Sequence, residues 1–277
     1  GKLNKFMPAL RVLLANKCQL LVELLHKAPI GELSSISTIA VHLLLAGKNL
    51  FLISELCLYS LKAQVEQSER PHLIARSNNP GTQVWTQFAK LTASEFLHDT
   101  VLPSVEQVVN RKIAWELDPC KLSNNPSPAD QVASEITIWA KELHQRLAKN
   151  ITNFPWHLQF TLHKFACLLK DHNFSSDKIY VLLGSMFYLR SIFPTLISPN
   201  LELTLTHRRS LILGTKFLQT AANGIQFGPK EHYLQVLNQH YDSFSITGNQ
   251  ILDFFLQPFT PPSAQILSVN VQVITDT

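Results

Sequence analysis

The stretch 179–223 constrains the fold more than any other part of the chain, because apolar residues recur at helical spacing in both of its halves. In the first half these residues are Val181, Leu182, Met186, Phe187 and Leu189. A lone Arg190 follows at once, and Pro194 and Pro199 are expected to end the helix soon afterwards. The first half therefore predicts a buried helix with a positive charge at its end.

The second half predicts another helix, which carries a polar row beside its apolar face. The residues that can face a core are Leu211, Ile212, Phe217, Leu218 and Ala221. Lys216, Gln219 and Asn223 recur at i, i+3 and i+7, so they share a different face of the same helix. By spacing alone, this row fits an ordinary solvated face as well as a surface that contacts a partner.

The composition extends the helical prediction to the whole chain. Only 9 of the 277 residues are glycine and 45% are apolar, which favours long helices over a turn-rich sheet. A chain of this length can bury a sizeable core in one large domain or in two of ordinary size. The sequence therefore predicts an all-α protein.

The positive charge is concentrated in the second half of the chain. The net charge is +4, yet residues 141–231 hold 11 Lys and Arg against 5 Asp and Glu. Such an excess suits an acidic protein surface or phosphate groups. Dense basic runs and interleaved aromatic platforms are missing from the sequence, so no nucleic-acid partner is expected.

The cysteines and histidines do not have the spacing of a metal site. The 4 cysteines include no CxxC pair and the 11 histidines no HExxH pair, so we expect free thiols, no bound metal and a cytoplasmic location. The longest apolar segment, 39–53, is broken by His42, Lys48 and Asn49 and is too short to cross a bilayer. This segment predicts no direct membrane insertion.

A polar segment, 66–82, separates two strongly helical regions. It contains Pro71, Pro80 and Gly81, which predict an exposed loop, and a single Arg76 lies within it. An arginine on such a loop is unremarkable by itself, and its position alone does not indicate a function. Beyond the loop, apolar spacing predicts one long helix from Val84, kinked or interrupted at Pro103.

Five segments, in this order and spacing, give the chain a resemblance to a known family. They are LIARSNN at 73–79, EFLHDTVLPSV at 95–105, WELDPCKL at 115–122, YLRSIFPTLISP at 188–199 and TKFLQTAANGIQFGPKEHY at 215–233. Together they resemble the catalytic domain of Ras GTPase-activating proteins, the neurofibromin kind included. The resemblance covers roughly residues 65–242, and each segment alone is modest.

The resemblance implies an elongated multi-helix domain of three parts. Residues 66–242 would form the central catalytic subdomain. Residues 1–65 would be the N-terminal helical part of an extra subdomain, and 243–277 would supply a C-terminal helix and an extended, proline-containing tail. The chain is then expected to bind a Ras-family small GTPase in its GTP form.

The resemblance also assigns roles to the residues singled out above. Arg76 would be the arginine finger, with Asn78 beside it, and Arg190 would steady the finger loop. The remaining contacts to the GTPase would come from Leu189, Lys216, Gln219 and Asn223. Two departures bear on the rate: Ala75 replaces the family's usual Phe, and Asn79 with Pro80 replaces its usual Ser-Leu.

Three alternatives remain open at this stage. The chain could accelerate GTP hydrolysis, bind a GTPase as a scaffold without accelerating it, or be a helical adaptor with no GTPase partner. In the first case it has no independent catalytic activity and no cofactor of its own, since GTP and Mg²⁺ belong to the GTPase. Recruitment to the inner face of the plasma membrane would then need regions outside this chain.

Overall fold

The fold consists of helices throughout the part of the chain that is described. The computed structural model describes residues 18–70, 73–111, 115–121, 128–199, 201–222, 225–241 and 250–262. No strand occurs within these ranges, and the all-α prediction is confirmed.

In chain order the α-helices are α1 (18–27), α2 (Ile30–Ala46), α3 (Leu50–Gln67), α4 (Pro80–Thr92), α5 (Ser94–Thr100), α6 (Leu102–Val109), α7 (Ala129–Asn150), α8 (Trp156–Asp171), α9 (Ser176–Gly184), α10 (Phe193–Ile197), α11 (Leu205–Ala222) and α12 (250–256). A π-helix, Ser185–Ile192, joins α9 to α10. Short 3₁₀ segments occupy Pro119–Lys121, Ile151–Asn153 and Pro229–His240.

The chain folds as two compact units, each assembled from separated stretches of sequence. Unit 1 comprises Gly1–Thr92, Pro155–Leu182 and Phe255–Thr277. Unit 2 comprises Ala93–Phe154 and Leu183–Phe254. The division of the sequence into 1–65, 66–242 and 243–277 stays a prediction.

In unit 1, α3 packs against α2, α4 and α8. The start of α4 lies close to α3 at Gly81, where a Cβ atom would lie 2.6 Å from Leu61 Cγ on α3. Only a residue without a side chain lets the two helices meet there. Asn49 caps the N-terminus of α3, since its side chain accepts the N–H of Leu52.

In unit 2, α7 packs against α5, α6 and α11 around Trp139. The indole ring contacts Trp115 edge-on at 5.5 Å, and its N–H donates to the Ser104 carbonyl at 2.9 Å. On α11, Gly214 has no room for a Cβ atom, which would lie 2.5 Å from this ring. The buried tryptophan and the missing side chain together set how closely α7 and α11 approach.

Three details of the sequence prediction differ from the structure. The helix expected from Val84 is interrupted at Val101, next to Pro103 as predicted, and it has a further break at Ala93, so it is divided into α4, α5 and α6. The helix expected to end at Pro194 and Pro199 passes Pro194, where a π-helix precedes the proline, and ends at Ile197, before Pro199. Ile212, expected in the core, is 40% exposed.

One helical run within the described residues, Ser176–Ile197, has the length and apolar character needed to cross a membrane. The sequence prediction had taken 39–53 as the longest apolar segment. About two thirds of the most apolar part of this run is buried inside the protein, as in the core helix of a folded domain.

Candidate GTPase-contacting site

Arg76 lies on the short loop that connects α3 to α4 in unit 1. Its N–H donates to the Leu73 carbonyl at 2.9 Å, which closes a tight turn just before it. The side chain is half-buried, so the prediction of an exposed position holds only in part. Asn78 is exposed, and its side-chain carbonyl accepts a hydrogen bond from the side-chain NH₂ group of Gln83 on α4 at 3.2 Å.

The loop ends in a hydrogen-bonded cap at the start of α4. Asn79, only 5% exposed, accepts the N–H of Thr82 at 3.0 Å, and its own N–H donates to the Thr82 hydroxyl at 3.1 Å. These reciprocal bonds satisfy two of the amide groups at the helix start that would otherwise lack a partner. Sequence reasoning named Asn79 only as a departure from the family and did not single out Thr82. Asn-Pro-Gly-Thr nevertheless carries a signal for a cap: a favoured cap residue, then proline at the first helical position.

Ala75, the residue before Arg76, is small and fully buried. Ala75 and Ile74 are 0% and 2% exposed. The departure from the family's usual Phe therefore removes apolar volume from a buried position of the loop. The second departure, Asn79 with Pro80, forms the cap and the first residue of α4.

Leu189 and Arg190 lie on the π-helix of unit 2, and both side chains are half-buried. Burial lowers the pKa of the Arg190 guanidinium from its usual value, which is high enough for the group to stay charged. Their neighbour Tyr188 is 2% exposed and stacks on the His144 ring, with centroids 5.4 Å apart and planes 12° apart. This stack fixes the segment that carries Leu189 and Arg190.

Lys216 and Gln219 are half-buried on α11, one helical turn apart. Lys216 Nζ lies 2.5 Å from Glu231 Oε1, and this hydrogen bond raises the pKa of the lysine. The resemblance gives this lysine as a contact to the GTPase, and the structure pairs it with an acid of its own chain. The predicted residue Asn223 lies outside the described residues.

The predicted site residues fall into two groups. Leu189 and Arg190 occupy a segment that packs against α11, the helix that carries Lys216 and Gln219, so unit 2 brings these four residues onto adjacent elements. Arg76 and Asn78 belong to unit 1. A role for Arg190 in steadying the finger loop stays a prediction.

The described residues include no group of three or more His, Cys, Asp or Glu side chains placed to hold a metal ion. All four cysteines are free thiols, and Cys120 is exposed whereas Cys18 and Cys57 are buried. Burial raises the pKa of Cys18 to about 11, so this thiol stays protonated near neutral pH.

Comparison with known proteins identifies the relatives of this chain. A probable Ras GTPase-activating-like protein of Dictyostelium discoideum is 26% identical over 80% of this chain and 27% of its own length. Ras GTPase-activating protein gap-2 of Caenorhabditis elegans is 27% identical over 65% of the chain and 15% of its own length. Human Ras GTPase-activating protein 1 is 25% identical over 63% of the chain and 17% of its own length. No family model matches the chain.

These relatives and the all-helical fold agree with the resemblance found in the sequence. Its curated homologues are Ras GTPase-activating proteins, which confirms the resemblance found in the sequence. The chain spans 27%, 15% and 17% of the lengths of the three relatives named above. GTPase activation is the function that the names of these relatives give.

Proposed function

We propose that the chain binds a Ras-family small GTPase in its GTP form and accelerates GTP hydrolysis by inserting Arg76 into the partner's nucleotide site. The observation that carries the proposal is the setting of Arg76 in a chain whose homologues are Ras GTPase-activating proteins. It sits on the loop between α3 and α4, its neighbours in the main chain are hydrogen-bonded on both sides, and the residue is half-buried. A loop held in this way can present a side chain in one orientation.

The chemistry favours an arginine in this role. Hydrolysis spreads negative charge over the oxygens of the γ-phosphate and over the leaving oxygen. A guanidinium provides a permanent charge and five donors in a planar fork, which the ammonium group of a lysine cannot reproduce. For Ras and its activators, the system in which this effect is best known and from which we borrow the value, such an arginine is worth about 10³ to 10⁵ in rate.

Unit 2 supplies the other contacts in this proposal. Leu189 offers an apolar, partly exposed side chain, and Gln219 offers a partly exposed amide on α11. Lys216 would exchange or share its bond to Glu231 with an acidic residue of the GTPase. Because both members of this pair are about 40% exposed, breaking the pair costs little. Asn223 would extend the same row, and Arg190 would brace the finger loop.

Phosphate release from GTP-loaded Ras-family proteins, measured in single turnover with and without the chain, tests the proposal. Replacing Arg76 with Ala is expected to lower the stimulated rate by about 10³ while the Kd for the GTP-loaded form changes by only a few-fold. Arg76→Lys keeps the charge but not the planar fork, so it should recover little of the rate. Arg70→Ala, at an exposed arginine near the same loop, is the matched control and should leave the rate unchanged.

The same experiment separates this proposal from its alternatives. Binding of the GTP-loaded form with no added phosphate release would show a scaffold, for which the loss of volume at Ala75 is the structural argument. Failure to bind any GTP-loaded Ras-family protein would leave a helical adaptor. An unchanged single-turnover rate in Arg76→Ala would refute the role of the arginine.

The proposal needs no cofactor in the chain itself, since GTP and Mg²⁺ arrive with the GTPase. It also places the chain in the cytoplasm, where Ras-family proteins expose their nucleotide sites. Regions outside the chain would bring it to the inner face of the plasma membrane.

A further inference from the structure

The side chain of Asn79 connects both sides of Arg76 to the start of α4. Its NH₂ group donates to the Ile74 carbonyl at 2.7 Å, two residues before the arginine, and to the Ser77 hydroxyl at 3.0 Å, just after it. Its carbonyl oxygen accepts the N–H of Thr82 at 3.0 Å. One buried amide therefore joins three points of the chain, and Arg76 lies between two of them.

The orientation of this amide is fixed by its partners. Both of its N–H donors face acceptors, and its oxygen faces a donor. Turning the group by 180° would place the oxygen against the Ile74 carbonyl and a donor against the N–H of Thr82. The Ser77 hydroxyl adds a bond to the same Ile74 carbonyl at 3.1 Å, which closes the network around the arginine.

The base of the network is rigid. Five residues at the start of α4 are buried within unit 1: Pro80, Gly81, Thr82, Val84 and Trp85. The missing side chain of Gly81 lets α4 lie directly against Leu61 of α3. The position of the helix start is therefore set by packing, and Asn79 transmits that position to the loop.

A serine at position 79, the residue usual in the family, could cap α4 but could not make these ties. A hydroxyl has one proton, so it cannot donate to both the Ile74 carbonyl and the Ser77 hydroxyl. In this chain the extra donors coincide with a small, buried Ala75 beside the arginine. These hydrogen bonds therefore hold the loop at a place where the buried side chain is small.

We propose that Asn79 is a positioning residue for the proposed reaction: its side-chain amide fixes the main chain on both sides of Arg76 and so determines where the guanidinium points. This inference rests on the proposed function. It differs from a purely structural role, because the ties to Ile74 and Ser77 act on the loop, whereas the bond to Thr82 acts on the helix.

Asn79→Ser separates the two roles, since serine keeps the cap and loses the ties. At saturating chain, its stimulated single-turnover rate should fall by about 10- to 100-fold, the size expected when a reacting group is misplaced by roughly 1 Å. The Kd for the GTP-loaded GTPase and the urea midpoint should stay close to those of the wild type. Asn79→Asp also keeps the cap acceptor, but it places a carboxylate oxygen against the Ile74 carbonyl, so its rate should fall in the same way and its urea midpoint should fall as well.

Two further readouts assign the effect to the loop. In an Arg76→Ala background, Asn79→Ser should cause no additional loss of rate, because a residue that acts only through the arginine has nothing left to position. Hydrogen exchange of the Arg76 and Ser77 amides, which both donate to the Leu73 carbonyl, should be faster in Asn79→Ser, with α4 unchanged.

The outcomes distinguish this inference from the proposed function. A wild-type chain that accelerates no GTPase overturns both. A chain that accelerates hydrolysis through Arg76 but has the same rate after Asn79→Ser overturns this inference alone. An equal loss of rate in the wild-type and Arg76→Ala backgrounds would also overturn it, since Asn79 would then act elsewhere.

Discussion

Replacing Gly81 with Ala tests whether the contact between α3 and α4 supports the finger loop. The added Cβ atom would lie 2.6 Å from Leu61 Cγ, 2.7 Å from Cδ2 and 2.9 Å from the main-chain nitrogen of the same residue. A rotamer change can move the two side-chain atoms but not the nitrogen. Because Cβ contacts under 3.0 Å are essentially never seen and ordinary contacts begin at 3.4 Å, the two helices must separate by about 0.1 to 0.5 Å at this point.

The expected cost follows from two opposing effects. Overpacking a filled site costs about 1–3 kcal/mol, and a site with a stiff main-chain contact belongs in the upper half of that range. Alanine is a better helix former than glycine, which returns up to about 1 kcal/mol. We therefore expect Gly81→Ala to lower the free energy of unfolding by roughly 1–3 kcal/mol.

Gly31 provides a matched control, because it too is the second residue of its helix. Nothing lies within 4 Å of the position that its Cβ atom would occupy. Gly31→Ala should therefore raise the free energy of unfolding, by up to about 1 kcal/mol.

Urea unfolding, followed by circular dichroism and tryptophan fluorescence, measures both variants, and Trp85 on α4 reports directly on unit 1. Below the unfolding transition, Gly81→Ala should also lower the stimulated hydrolysis rate, since the shifted helix carries Asn79 at its start. A Gly81→Ala variant as stable as the wild type would refute this account of the α3–α4 contact. A destabilised variant with a wild-type rate would instead show that the α3–α4 contact contributes to stability but does not position the finger loop.

Three further predictions concern unit 2. Glu231→Gln removes the acid paired with Lys216 and leaves the lysine available to the GTPase, so the Kd for the GTP-loaded GTPase should fall about two- to five-fold at low salt. Weaker binding would contradict this and would mean that the pair orients the lysine. Tyr188→Phe removes a buried hydroxyl that has no hydrogen-bond partner among the described residues, and should raise the free energy of unfolding by about 1 kcal/mol without changing the rate, as urea titration would show. Burial lowers the pKa of His144 in the folded protein to about 3, from the usual value of 6.5 that it regains on unfolding. Its contribution to the free energy of unfolding is therefore complete above pH 6.5 and is lost as the pH falls toward 3. Between about pH 6 and 4, His144→Phe should therefore lower the pH slope of the unfolding free energy by about 1.4 kcal/mol per pH unit, and an identical slope would contradict this assignment.

Local features of the site could be predicted from the sequence where one segment carries the whole signal. Arg76 was identified on a loop between two helices, and the structure places it there, because prolines and polar residues interrupt the helical pattern on both sides. Lys216 and Gln219 share a face of α11, as their spacing requires. The Asn79 cap was also readable in principle, since its residues lie within four positions of each other.

Other features could not be predicted, because they depend on which neighbour a side chain meets. Ile212 has the spacing of a core residue, yet the core of unit 2 is filled on the other side of α11, where Gly214 meets Trp139. The pairing of Lys216 with Glu231 needs the chain to return after α11, and nothing in the spacing of either residue indicates it. The helix expected to end at Pro194 and Pro199 passes the first proline, next to a π-helix, and ends before the second.

The sequence by itself determined the all-helical class and its relation to Ras GTPase-activating proteins, because helical periodicity and motif order are properties of neighbouring residues. The tertiary structure alone decided how the candidate residues are held. Asn79 ties the arginine loop only because α4 is packed in place by Gly81 and Leu61, and Lys216 is paired only because a segment 15 residues later lies beside it. Hydrogen bonds and close contacts depend on distances in space, and these are fixed when separate segments pack against each other.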